Sequence, residues 1–249
     1  MTPVPVPLLD LTDEELAALD GAPDGLVVSP YLEELAPAAR DQAVLTAFRS
    51  LVARGLVDGP TGDQVRQAVR EAAGSDLTPV DVRMSEPLSQ TLTLRRVAPT
   101  VLCAQRTNAE LSSWRYVHVV DDELALDEVV EPTGLHRFGL LRPADVPDVL
   151  LDWLAPEGWD AEDGPAQQVD AEGAAPDALL ERLATAVVVA DVVVRRAGDS
   201  GGDLLIGTFA APGLLVLSTT RSGDGSGTSL RSASRRTVRA VIAEQLETT

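Results

Sequence analysis

The period of the apolar residues changes once, near residue 79, and that change constrains the fold more than any single residue does. Upstream the spacing is helical. Val44, Leu45, Phe48, Leu51 and Val52 recur at three- and four-residue intervals after Pro37, and Gly55 stands where such a helix would stop. Thr12 and Glu15 have the spacing of a reciprocal capping box for an earlier helix ending at Gly21, with Asp13 and Glu14 suiting its dipole. A third helix is expected over 63–73. Residues 1–75 thus read as a mainly helical N-terminal part. It is preceded by a short stretch at 4–9 that alternating prolines restrict to a sheet edge.

Downstream the period falls to two. Residues 80–84, 91–97, 100–106, 113–120 and 123–130 are β-rich runs between short polar turns, and the alternation over 114–119 predicts one buried face. A strand at 138–141 and an amphipathic helix at 144–154 complete a unit spanning 76–154. The tract 155–176 reads as an acidic linker with too little apolar surface to offset the entropy of ordering. In 177–249 the expectation is a helix at 177–184, strands at 187–196, 203–210 and 214–220, a Gly/Ser-rich loop at 222–229, and a last helix at 232–246.

The two strand-plus-helix segments echo each other, and Leu141-Arg142-Pro143-Ala144 is matched by Leu230-Arg231-Ser232-Ala233. The expected class is α+β: antiparallel sheet or sheets with helices, a quasi-twofold repeat of a meander-plus-helix unit, in one compact domain.

The chemistry-bearing side chains are few. In 249 residues there are two histidines and one cysteine, and all 20 basic residues are arginine. The net charge of -19 repels phosphate backbones, so neither nucleic acid nor an anionic membrane surface is an expected partner. Cys103 has no disulfide partner within the chain and reads as a small strand residue. The first residues have neither a basic nor a continuous apolar region, and the longest apolar run, 184–194, is interrupted by Asp191 and too short to span a bilayer. A cytoplasmic protein without membrane insertion is expected, with no cofactor, no metal and no catalytic set.

Four motifs were weighed against that expectation. Gly198-Asp199-Ser200-Gly201-Gly202 matches the nucleophile loop of trypsin-like proteases, but the contexts of His118 and His136 do not match that family, so a hydrophilic hairpin loop is the reading. Residues 48–57 resemble the last helix and first strand of a winged helix, with Arg40, Arg49 and Arg54 nearby; core packing is the reading adopted. Gly223-Asp224-Gly225-Ser226-Gly227 precedes a helix but lacks the Lys-Ser/Thr of a phosphate loop. Arg231, Arg235, Arg236 and Arg239 form one basic face on the last helix, either solvated, paired with the acidic surface, or free to dock an acidic partner. Trp159, in the linker, is the one candidate partner-binding residue: it either folds back onto the domain or anchors a partner.

The layout, together with Leu51-Val52-Ala53-Arg54-Gly55-Leu56-Val57, the strand pattern over 100–130 and the stretch 209–217, resembles the EspG family. These are cytosolic chaperones of the type VII (ESX) secretion systems of actinobacteria. The resemblance implies a quasi-twofold α+β protein that binds helical secretion substrates of the PE/PPE or WXG class without catalysis. It assigns no individual binding residue.

Overall fold

The structure, a computed structural model, describes residues 2–20, 26–59, 83–108, 111–169, 181–198, 204–221 and 227–247. The helix expected over 63–73 and Ser200 lie outside these residues, as does most of the 222–229 loop.

Ten strands form one antiparallel sheet: β1 (Val6–Thr12), β2 (Thr100–Asn108), β3 (Leu111–Val119), β4 (Ala125–Val130), β5 (Leu135–Leu141), β6 (Gln167–Val169), β7 (Val188–Arg196), β8 (Leu204–Ala211), β9 (Leu214–Arg221) and β10 (Gly227–Ser232). Their order across the sheet is β1-β5-β4-β3-β2-β7-β8-β9-β10-β6. Each half is a four-strand meander closed by a strand that precedes it in sequence, β1 against β5 and β6 against β10. The halves meet where β2 pairs with β7 over nine residues centred on Ala104 and Val192. The fold is α+β. The proline-bearing β1 lies at the edge, where its missing amides leave no gap in the interior ladder.

Two helices cover the back of the sheet, α5 (Val146–Leu154), which follows β5, and α6 (Arg235–Glu247), which follows β10. They pack on each other and bury Leu150, Leu154, Val238 and Ile242 against Leu102, Val117, Val192, Ile206, Leu215 and Leu217. Arg239 pairs with Asp148 at 2.5 and 3.0 Å, and Arg235 with Asp152. Two arginines of the basic face on the last helix therefore pair with the acids of α5.

On the front, α1 (Asp13–Asp20), α2 (Pro30–Glu34), α3 (Pro37–Ala53) and α4 (Glu86–Val97) gather over the β1/β5/β4 half. There Leu16, Leu51, Val57, Leu88 and Leu92 meet Leu11, Leu126 and Phe138. The capping box forms as its spacing predicts: the Thr12 amide donates to Glu15 Oε2 at 3.2 Å and the Glu15 amide to Thr12 Oγ1 at 3.3 Å. At the end of α3, Gly55 takes φ +69° while its amide donates to Val52 and that of Leu56 to Leu51, a Schellman closure. Arg40 donates to the Leu32 carbonyl and Arg54 to Glu15 and the Asp10 carbonyl, so two of the three arginines near the winged-helix-like segment serve internal contacts.

Several expectations are corrected. Residues 91–97 are not a strand but most of α4. Pro87 sits in its first turn, and Leu88, Thr91 and Leu92 are buried at helical spacing, so the Thr-Leu alternation was coincident with period four. The run 114–119 buries both faces over its second half, because helices lie on the front and back of the sheet there. Residues 227–232 form β10 rather than a loop, and the last helix starts at Arg235.

The four-residue echo is out of register with the strand symmetry. Leu126 pairs with Leu140, whereas the equivalent Val216 pairs with Ser232, so Leu140 corresponds to Ser232 and not to Ser229.

The described part of the acidic tract, 155–169, is tied down. Asp163 accepts from the Ser234 amide at 2.7 Å and Asp160 from the Arg235 amide at 2.8 Å, supplying the acceptors that the first turn of α6 lacks. Here polar capping does what apolar burial was expected to fail to do.

Candidate functional site

Two places in the sheet carry chemistry, and they differ in access. The first is a sealed polar cluster under α1. β4 reads Ala125-Leu126-Asp127-Glu128-Val129-Val130, so two carboxylates stand within an apolar strand, and pleating sends them to opposite faces. Glu128, fully buried on the front, accepts from His136 Nδ1 at 2.7 Å, His118 Nε2 at 2.9 Å and Arg95 Nε at 3.0 Å. The other nitrogen of His136 donates to Asp13 Oδ1 at 2.7 Å. Asp13 Oδ2 accepts the amides of Tyr31 at 2.8 Å and Leu32 at 3.2 Å. One chain of hydrogen bonds thus links α1, α2 and α4 to β3, β4 and β5.

The electrostatics follow from this geometry. Burial opposes charge on both His136 and Glu128 and is the largest single influence on each. For His136 the carboxylates of Asp13 and Glu128 outweigh it and raise the pKa. For Glu128 the bonds from His118 and His136, with Arg95 beside them, outweigh it and hold the carboxyl well below the ordinary range. Both nitrogens of His136 face carboxylates, so both donate and the ring carries its proton. Gly134 makes room: at φ +79°, a Cβ there would lie 2.7 Å from Tyr31 Cβ and 2.8 Å from Asp13 Oδ2. On the back, Asp127 forms a two-pronged pair with Arg115 at 2.6 and 2.8 Å; burial nonetheless raises its pKa above the ordinary value.

His118, His136, Asp13 and Glu128 are each at most 1% exposed, so the cluster is buried between the front helices and the sheet, with hydrogen bonds reaching both. Among the described residues no three His, Cys, Asp or Glu converge as metal ligands.

The second place is open. Between the front helices and the far edge, the middle of the front face is a cleft of about 270 Å³ lined by Leu26, Val28, Trp114, Tyr116, Asp191 and Val193 among others. Tyr116 forms part of its floor; its hydroxyl accepts from the Val28 amide at 3.2 Å, and burial pushes its pKa up to about 12. Cys103 lines the same cleft, half-buried.

Of the residues singled out from sequence, His118 and His136 meet at Glu128, while Cys103 and Trp159 lie on opposite faces of the sheet. His118 is a packed strand histidine, as its position suggests. Trp159 lies on the back, half-buried against the main core beyond α5, far from both places just described in the fold. Asp13, Arg95, Glu128 and His136 were not read as a unit. The visible signal was a carboxylate inside the apolar strand at 125–130, and its partners come from separate elements, Asp13 lying 123 residues from His136.

No protein-family model matches this chain, and no curated protein matches it. No helix of the described residues is long and apolar enough to cross a membrane.

Proposed function

We propose that the chain is a non-enzymatic protein-binding chaperone or adaptor of the kind its EspG resemblance implies, holding helical PE/PPE or WXG-type secretion substrates in the cytosol. The observation that supports this reading best is the sheet itself. Its strand order is the same read from either edge, in keeping with the quasi-twofold layout the resemblance implies, and among the described residues the front of its central strands is an open surface for a partner. A sheet face is stable when another layer covers it, and among the described residues no helix lies over the cleft. The cluster around Glu128 and His136 is sealed inside, which favours a structural use of those groups and binding over catalysis.

The test is co-expression with heterodimeric PE/PPE- or WXG-type substrates from the same genome, followed by size-exclusion chromatography with light scattering. A stable complex containing one copy of each chain is expected. Failure of every such pair to co-elute refutes the secretion-chaperone reading. In parallel, a fluorophosphonate probe is expected to leave the protein unlabelled; stoichiometric labelling lost in Ser200→Ala would replace binding with hydrolase chemistry.

A further inference from the structure

The open cleft has an uneven chemical pattern. Across four strands the front face reads Gln105, Asp191, Gly207 and Ser218 in register, with Trp114 next to Gln105 on β3. This polar row is bordered by apolar positions, Val189 on one side and Val193 on the other, and by Leu26 and Val28 arriving from the front. Asp191 lies in the middle. Its Oδ1 leans over β8 into the space that a side chain at Gly207 would fill, 3.2 Å from that absent Cβ. Among the described residues it has no hydrogen-bond or ion-pair partner, although the neighbouring atoms crowd it enough to raise its pKa.

A carboxylate at the centre of a half-apolar cleft sets the chemistry of what can lie there. A purely apolar partner would strip water from the charge and return nothing, a neutral polar one would return little, and a cation would compensate it. The back of the same sheet shows which element fits: two helices lie across the central strands. Arg195 lines the other end of the cleft, four residues along β7 and therefore about 13 Å from Asp191 at strand rise. A helix covers that length with roughly nine residues.

We propose that Asp191 selects the partner by charge: the cleft takes an amphipathic partner helix of two to three turns whose apolar face carries one Lys or Arg, set against Asp191. That a protein partner exists rests on the binding reading above; the requirement for a cation on its helix is new. The net charge of -19 favours the approach of any basic segment, so the selectivity of Asp191 has to be separated from that general field.

A phage-displayed library of amphipathic helices, panned on the intact protein, makes the separation. The helices recovered are expected to carry a basic residue amid apolar ones and to perturb Trp114 fluorescence. By fluorescence anisotropy they should bind Asp191→Asn at least tenfold more weakly and Asp191→Arg more weakly still. Asp122→Asn, which removes an equal charge from an exposed turn, should bind within twofold of the unaltered protein. An empty selection, helices without a basic residue, or equal affinity for Asp191→Asn overturns the proposal. The PE/PPE- and WXG-type pairs tested against Asp191→Asn keep the two readings apart. Substrates that bind it undiminished sink the charge selector and leave the chaperone reading standing. If no such substrate binds the unaltered protein while selected helices bind it through Asp191, the chaperone reading falls and the cleft assignment stands.

Discussion

Glu128→Gln tests the sealed cluster with the least change of shape. The carboxylate accepts three bonds, from His136, His118 and Arg95, with no solvent access. An amide keeps one acceptor oxygen and turns its nitrogen, a donor, toward another donor, and it removes the carboxylate charge that Arg95 and His136 face at this position. Breaking one partner of a buried charge network costs about 3–5 kcal/mol. At roughly 2–4 °C per kcal/mol for a chain of this size, the melting temperature should fall by about 6–20 °C.

The pH profile adds a second, sharper readout. Glu128 is held below its ordinary 4.5, so its contribution is complete above about that value and is lost as pH falls through the folded pKa. His136 is raised above 6.5, so its contribution is complete below that value and is lost as pH rises toward the folded pKa. The unaltered protein should therefore have a stability plateau between about 4.5 and 6.5 with a fall on each side. In Glu128→Gln the acid fall should shrink, and the alkaline fall should shrink too, because His136 keeps only Asp13. Thermal unfolding followed by circular dichroism from pH 3 to 9 measures both. A loss below about 1 kcal/mol, or a profile parallel to that of the unaltered protein, would refute the claim that this network clamps the front helices.

Three further outcomes follow from the packing. Arg115→Leu should cost about 3–5 kcal/mol at neutral pH by leaving Asp127 buried and unpaired, and the loss should be larger at pH 8 than at pH 4, where Asp127 can protonate; adding Asp127→Leu should recover most of it in denaturant melts. Gly55→Ala should cost only about 1–2 kcal/mol, since its φ is positive but its surroundings are open, whereas Gly134→Ala should cost clearly more because its new methyl meets Tyr31 and Asp13; equal effects in the two would show that the contact with Asp13 is unimportant. Trp159→Ala should lower stability by roughly half of the 3–5 kcal/mol typical of a core tryptophan, in keeping with its half-buried site, and leave partner binding intact; lost binding at unchanged melting temperature would make it an anchor instead.

Much of the architecture was legible from residues 12, 15, 37 and 55, because caps and glycine stops act within a few residues of the helix ends they define. The meander over 100–141 was legible for a similar reason: alternation and turns are local. What local patterns do not encode is which element covers which face. That is why 91–97, whose Thr-Leu alternation fits a strand, folds as a helix once Leu88 and Leu92 find the front core. It is also why 114–119 is buried on both sides. The described part of the acidic tract, 155–169, is held by Asp160 and Asp163 meeting the start of a helix some 70 residues later, a contact that no local pattern encodes. The sealed cluster joins residues 13, 95, 118, 128 and 136, each unremarkable in its own neighbourhood, and Asp191 stood out only as an interruption in an apolar run.

The pairing of β2 with β7 also sets an order in time. β1 to β5 can assemble once Leu141 has been synthesised, but the free side of β2 waits for β7, which ends at Arg196. At about 5–20 residues per second, those 55 residues take roughly 3–11 s to appear. During that interval a nine-residue edge, with Leu102 and Ala104 facing a back that lacks the last helix, is open to any other extended segment. The seam at the centre of the finished sheet is therefore the growing chain's most exposed margin. A chain released after Leu154 should carry that margin permanently and self-associate on a sizing column; a monodisperse monomer would show that the first half guards its own edge.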